Sequence, residues 1–384
     1  MTHVNLARRP VLELALGAVL LAGCAGPDAV VAPNATPPAH PSLAAAAAGR
    51  VVRVRPGESI QAAVDAAGAG GTVQIEPGEY AEAVTVAVPN LRIMGLGNPG
   101  DVVLRNPGSA TNGIRVTTAG DGFDLDNITV RGFEANGVLL VRVDGFRLSR
   151  VRTENNGEYG LFPVLSSHGV IDGCTATGHA DTGIYVGQSS DVEIRNSVAW
   201  GNVAGFELEN TTRASLTNSE AYDNTVGILV SLVPPAPYIS VLTATDNLVA
   251  HNRVHDNNHA NFGEEGDLAA LLPAGTGILV VGPDRTTIEH NTVTNNVSSG
   301  IAVVDAAVLA LLSGDADAYG TLNTAPDGTR VQLNTVLGNG TAPQPPLNEF
   351  FPGVDLLWDG SGVGNCWWQN RYGTSFPDPL PACK

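Results

Sequence analysis

Thr182-Gly183-Ile184-Tyr185-Val186-Gly187-Gln188 is followed 22 residues later by Ala204-Gly205-Phe206-Glu207-Leu208-Glu209-Asn210, and after another 22 by Val226-Gly227-Ile228-Leu229-Val230-Ser231. The glycine–apolar pair at the head of each segment extends both ways, to Gly137-Val138 and Gly160-Leu161 upstream and to Gly277-Ile278 and Gly300-Ile301 downstream. The steps are 23, 23, 22, 22, 50 and 23 residues. Self-similarity at this fixed size is the signature of a solenoid. Within one period lie three short apolar patches, Val192-Glu193-Ile194, Ser197-Val198-Ala199 and Phe206-Glu207-Leu208, with Asn196, Asn202 and Asn210 at the corners. Asn218 and Asn224 repeat those corners one period on. Asparagines in register tolerate left-handed turns and can bond to one another from rung to rung. Three strands and three turns per period make one rung of a right-handed parallel β-helix, an all-β fold with rungs about 4.8 Å apart.

Working outward, Ile60, Ala63, Val64 and Ala67 fall on one face of a helix, with Ser59 as N-cap and Gly68 as stop. A helix there covers the open N-terminal end of the solenoid. Val73–Ile75, Val84–Val86 and Leu91–Met94 read as strands between Pro-Gly and Pro-Asn turns. Further upstream, Arg8 and Arg9 precede a short apolar stretch that ends in Leu21-Ala22-Gly23-Cys24. Residues 1–23 read as a signal peptide and Cys24 as a lipidation site, which implies export and lipid anchoring to a bacterial membrane. With Ala25 after the cysteine, the outer membrane is the expected location, facing periplasm or surface. Residues 24–49, rich in Ala and Pro, read as a tether. Residues 50–345 are assigned to the β-helix and 346–384 to a C-terminal capping tail. Cys366 and Cys383 are candidates for a disulfide that staples this tail, since export places them in an oxidising compartment.

Net charge of −18 and a single lysine, Lys384, exclude nucleic acid as a partner, because phosphate binding needs a basic face. Five arginines between Arg131 and Arg152 read as solvated rung exterior.

Pro56-Gly57-Glu58-Ser59-Ile60-Gln61-Ala62-Ala63 with Pro77-Gly78-Glu79-Tyr80 is similar to the N-terminal rungs of the pectate-lyase-like β-helix superfamily. The segments from Thr182 and Asn202, with Gly364-Asn365-Cys366-Trp367 and Leu380-Pro381-Ala382-Cys383, resemble an uncharacterised family of bacterial parallel β-helix repeat lipoproteins. The resemblance spans residues 50 to 384 and implies a fold and an envelope location. The superfamily's Asp-Pro-His epimerase motif and the polygalacturonase set are absent, and a lysine base is excluded.

Two regions are candidates for chemistry. If Ile184 and Val186 face inward, then Phe162, Tyr185 and Glu207 form an outward column, with Gln188, Glu209 and Asn210 at the strand ends. Exposed aromatics beside carboxylates and amides suit sugar rings, so Phe162, Tyr185, Gln188, Glu207 and Asn210 are the expected ligand contacts. Glu207 and Glu209, about 6.6 Å apart along one strand face, are the candidate catalytic pair. The second region is the 50-residue step, read as two rungs plus about six residues, whose irregular stretches are Pro234–Thr245 and His259–Ala274; a third, Ala306–Asp327, follows Gly300. His255, Asp256, His259, Glu264 and Asp267 there are either a divalent-metal site, with Ca²⁺ as the cation, or a solvated loop; no cofactor is otherwise implied.

The expected function is therefore an exported, lipid-anchored envelope β-helix that binds a polysaccharide or another envelope component without assigned catalysis. The alternative is a carbohydrate-active enzyme, a polysaccharide lyase, glycoside hydrolase or epimerase, that uses the face around Tyr185 and Glu207.

Overall fold

The computed structural model describes residues 49–384; residues 1–23, read above as a signal peptide, Cys24 and nearly all of the stretch read as a tether lie outside the described residues. Three parallel sheets of 12, 11 and 11 strands run the length of the molecule, and the chain visits them in turn. Strands Glu193–Arg195, Val198–Trp200 and Ala204–Glu209 make one such rung. Ile184, Phe206 and Ile228 stand in register and point inward, as do Val186, Leu208 and Val230, and all are buried. The helix Ile60–Ala67 closes the N-terminal end; Ser59 Oγ caps it by accepting from Ala62 N, and its buried face is the one anticipated.

The repeated glycines belong to one sheet and are required by distance. A Cβ on Gly205 would lie 2.6 Å from the Gly227 carbonyl oxygen and 2.8 Å from Asn224 Nδ2. The corner asparagines divide into two kinds. Asn196 and Asn218 hold left-handed backbone, with φ of 51° and 50°. Asn202, Asn224, Asn257, Asn296 and Asn339 are buried and bond in a column, each Nδ2 donating to the next Oδ1 at 2.9–3.1 Å and the last reaching Asp355 at 3.0 Å. The amides satisfy one another where water is excluded, so the column is structural.

Two expectations about the ladder are corrected. Val226 pairs directly with Thr276, so the 50-residue step is one rung and not two. Its strands Leu248–Ala250 and Arg253–His255 occupy the other two sheets, and the remainder forms two insertions that leave the rung. Nor does the ladder end at residue 345. Val354–Trp358 extends the glycine-bearing sheet, with Asp355 in the register of Gly300, and Cys366–Trp368 extends its neighbour. The segment expected only to cap thus supplies the last strands, and the Cys366–Cys383 disulfide ties its end.

Besides the core inside the helix, a second apolar cluster lies outside it. Leu229, Leu279, Val281, Ala302 and Val304 on the outer face of the glycine-bearing sheet pack with Leu232 and Ala244 of the first insertion and Ala269 and Leu272 of the second. Leu309 of the helix Ala307–Ser313 and Leu347 join them. Strands Val226–Ser231, Thr276–Val281 and Ser299–Val304 are consequently buried on both faces.

Candidate functional site

The insertions roof a pocket of about 300 Å³ on the outer face of the glycine-bearing sheet. Its floor comes from consecutive rungs: Glu158 and Tyr159, then Asp181, then Glu207 and Glu209, then Leu229 and Ser231. Its roof comes from Ala236, Tyr238 and Ile239 of the first insertion and Glu264, Asp267 and Leu272 of the second. Apolar side chains line it together with carboxyls and hydroxyls, and among the described residues no Arg, Lys or His does.

The register follows the expectation, with Tyr185 beside Glu207 and Glu207 beside Leu229. The exposure does not. Tyr185 retains only 3% of its accessible surface and Glu207 6%, because the aromatics pack on one another and the insertions cover the face. Phe162 and Tyr185 meet edge to face at 4.7 Å, and Tyr159 stacks on Phe162 at 4.2 Å. Neither Phe162 nor Tyr185 borders the pocket; Tyr159 does. Tyr185 acts through its hydroxyl, which donates to Glu209 Oε1 at 2.7 Å.

Gln188 and Asn210 are corrected too. Gln188 Oε1 accepts from Ser240 N at 2.7 Å, and its Nε2 donates to the Tyr238 carbonyl at 3.1 Å. Asn210 Nδ2 donates to the Val241 carbonyl at 2.7 Å, and its Oδ1 accepts from Val233 N at 2.8 Å. Both amides are committed to holding the first insertion over the pocket.

The proposed metal ligands do not converge. His255 bonds Glu220 and Asp256 on another sheet and stacks on Tyr222. His259 is exposed near Asp223, whereas Glu264 and Asp267 face the pocket. Among the described residues no group of three or more His, Cys, Asp or Glu side chains is placed to hold a metal ion. The arginines Arg131 and Arg150 are paired with Glu79 and Asp126 on the exterior.

Three carboxyls of the pocket floor are deeply buried. Thr182 Oγ1 lies 2.8 Å from Glu207 Oε2 and 3.0 Å from Asp181 Oδ1, and Ser231 Oγ lies 3.2 Å from Glu207 Oε1. Burial pushes Asp181 up to about 6 against the downward pull of Tyr159 and Thr182. Burial likewise pushes Glu209 up to about 7, with Asp181 adding to it and the Tyr185 hydroxyl opposing. Glu207 is held well above the carboxylate range by burial, then by the charges of Glu209 and Asp181. At the rim Glu158 and Asp267 are also raised, chiefly by burial. Asp181 and Glu209, at about 6 and about 7, exchange protons near neutrality, which is the property required of acid–base groups.

Asp181, Tyr159 and Ser231 were not anticipated. Glu158 and Asp181 each stand two residues before a ladder glycine, where other rungs carry Ala135, Val203 and Thr225, and this offset is the signal that marks them.

A family described as "Right handed beta helix region" matches residues 109–234. No curated protein matches the sequence. The A-module of mannuronan C-5 epimerase AlgE4 from Azotobacter vinelandii superposes with a TM-score of 0.57 at 17% identity, over 83% of this chain and 93% of that one. The Dettilon tailspike protein superposes at 0.53 with 14% identity, over 83% and 62%. A lacto-N-biosidase from Eubacterium ramulus superposes at 0.52 with 10% identity, over 84% and 68%. At such identities the likeness is one of fold. The protein folds as a right-handed parallel β-helix.

Proposed function

We propose that the protein is an exported, lipid-anchored β-helix of the bacterial cell envelope that binds a neutral saccharide in the roofed pocket. One observation carries the binding reading: carboxyls, hydroxyls and apolar side chains together line a pocket that, among the described residues, has no cationic side chain. A pyranose presents an apolar face and a hydroxyl edge, and a lining of both apolar and polar groups suits them. A uronate would bring a second negative charge among carboxyls with no counter-charge, so acidic glycans are disfavoured. The fold neighbours include an epimerase, a lacto-N-biosidase and a tailspike protein, which supports a glycan as the ligand class. Cys24 at the end of the apolar leader supports the anchor.

The test is calorimetric titration of the purified protein with neutral oligosaccharides and with oligouronates. Binding of a neutral sugar is expected, and Ala236→Trp, which fills the pocket from its roof, should weaken it at least tenfold. Unchanged affinity in that variant, or equal binding of oligouronates, would overturn this assignment.

A further inference from the structure

Glu158, Asp181, Glu207 and Glu209 on the floor of the pocket and Glu264 and Asp267 on its roof bring six carboxyls to one space, and among the described residues no cation meets them there. Hydrogen-bond donors are as scarce as counter-charge. Tyr185 donates to Glu209 Oε1, and Ser231 Oγ donates to Glu207 Oε1. The hydroxyl of Thr182 has one proton but stands between two carboxyl oxygens, Asp181 Oδ1 and Glu207 Oε2. It serves one of them, and the other has no donor from the protein. Glu207 is more than nine-tenths buried, so bulk water does not make up the shortfall. Among the described residues no hydrogen bond reaches Glu209 Oε2 or the carboxyls of Glu158, Glu264 and Asp267. The pocket thus lacks positive charge and N–H donors together, and an ammonium supplies both, as one charge and three donors. A metal ion fits less well. No group of three or more His, Cys, Asp or Glu side chains among the described residues is placed to hold one, and the space of about 300 Å³ is bordered by Leu229, Ile239 and Leu272 as well as by carboxyls. Tyr159 and Tyr238 border it too, and aromatic rings suit both a sugar and an ammonium.

We infer that the pocket selects amino sugars: a saccharide that carries a free ammonium binds more tightly than the same saccharide with a hydroxyl or an N-acetyl group in its place. This rests on the saccharide-binding reading and adds to it the charge of the preferred ligand. The sugar ring meets the apolar side chains, and the ammonium stands among the carboxyls. Glu209 Oε2 is its principal acceptor, because Tyr185 occupies only the other oxygen of that carboxyl. Taking an ammonium out of water is costly, and the cost is offset here because the carboxyls have already lost solvent to the roof and repel one another until a cation arrives. A proton leaves as the ammonium enters. Burial pushes Glu209 up to about 7, so at neutral pH this carboxyl holds a proton in part of the molecules. A cation beside it favours the carboxylate and sends that proton to solvent, whereas a neutral sugar does not.

The experiment is calorimetric titration at pH 7 with glucose, galactose and mannose, with their 2-amino-2-deoxy forms and with the N-acetyl derivatives of these, each in two buffers that differ in ionisation enthalpy. The amino form of a sugar should bind roughly 10- to 100-fold more tightly than its hydroxyl parent, the range of one charged hydrogen bond. Its apparent enthalpy should differ between the buffers, and the parent's should not. Glu209→Gln keeps an acceptor for the Tyr185 hydroxyl and removes the charge, so it should cut the preference to less than about threefold. Glu264→Gln, exposed on the second insertion where the fold tolerates it, should lower the preference by a smaller factor. Neutral sugars that bind as tightly as their amino forms overturn the selection and leave saccharide binding intact. No binding by any of these sugars overturns both. Equal tightening by the uncharged N-acetyl forms overturns the role of charge, and a preference unchanged in both variants overturns the role of these carboxyls. Ethanolamine is the control for the ring, and affinity equal to that of the amino sugars overturns a saccharide as the ligand.

Discussion

Burial without a counter-charge sets the behaviour of Asp181, Glu207 and Glu209. Each would be ionised at neutral pH in water, and each is raised here because the roof removes solvent while neighbouring carboxyls add repulsion. A carboxyl whose folded pKa lies above its unfolded value binds more protons when folded. Its contribution is therefore complete at pH below about 4 and is lost as pH rises through the folded value. For Asp181 and Glu209 the window runs from about 4 up to about 6 and about 7. Glu209→Gln should thus raise the melting temperature at pH 8 by roughly 2–4 °C and leave it unchanged at pH 4. Thermal unfolding at the two pH values checks this, and equal shifts at both would contradict it. Of these three residues, Glu207 and Glu209 were legible in the sequence because strand alternation puts them on one outward face. Asp181 was marked only by its offset before Gly183, because it precedes its strand and strand alternation does not aim a turn side chain.

At the level of the element, the glycines and asparagines keep the rungs close, and the insertions decide what the outer face meets. Gly205→Ala forces Cβ against the Gly227 carbonyl, so the rungs must separate; we expect a loss of about 1–3 kcal/mol in urea denaturation. Gln188 holds a different structure. Gln188→Ala frees the Tyr238 carbonyl and the Ser240 amide from the side chain that holds them, so limited proteolysis near Tyr238 should quicken several-fold. The far-ultraviolet spectrum should not change, because the rungs are untouched. Unaltered cleavage would show that Asn210 alone suffices to hold the insertion. The runs Gly277-Ile278-Leu279-Val280-Val281 and Gly300-Ile301-Ala302-Val303-Val304 already carry the sign that this face is covered. They are continuously apolar, as strands buried on both faces are. Their outward side chains meet the insertions, and the open column expected at Phe162 and Tyr185 is covered in the same way.

On the scale of the whole molecule, each rung touches only its neighbours, so stability is local and the ends are vulnerable. The helix Ile60–Ala67 guards one end, and the Cys366–Cys383 disulfide ties the other. Replacing both cysteines with serine should raise hydrogen exchange in Val354–Trp358 and Cys366–Trp368. Exchange in Thr72–Ile75, at the far end, should not change. Uniform loss of protection along the solenoid would contradict nearest-neighbour stability.

The sequence by itself determined the solenoid, its period, its capping helix and the identity of the glycine-bearing face, because these follow from local propensity and from side chains that repeat at a fixed interval. Only the tertiary structure decided that this face is roofed, that the 50-residue step is one rung, and that Tyr159 and Asp181 join Glu207 and Glu209 around one pocket. Those outcomes depend on where aperiodic loops come to rest, and that is set by the apolar surface they bury against the sheet rather than by any repeat within them.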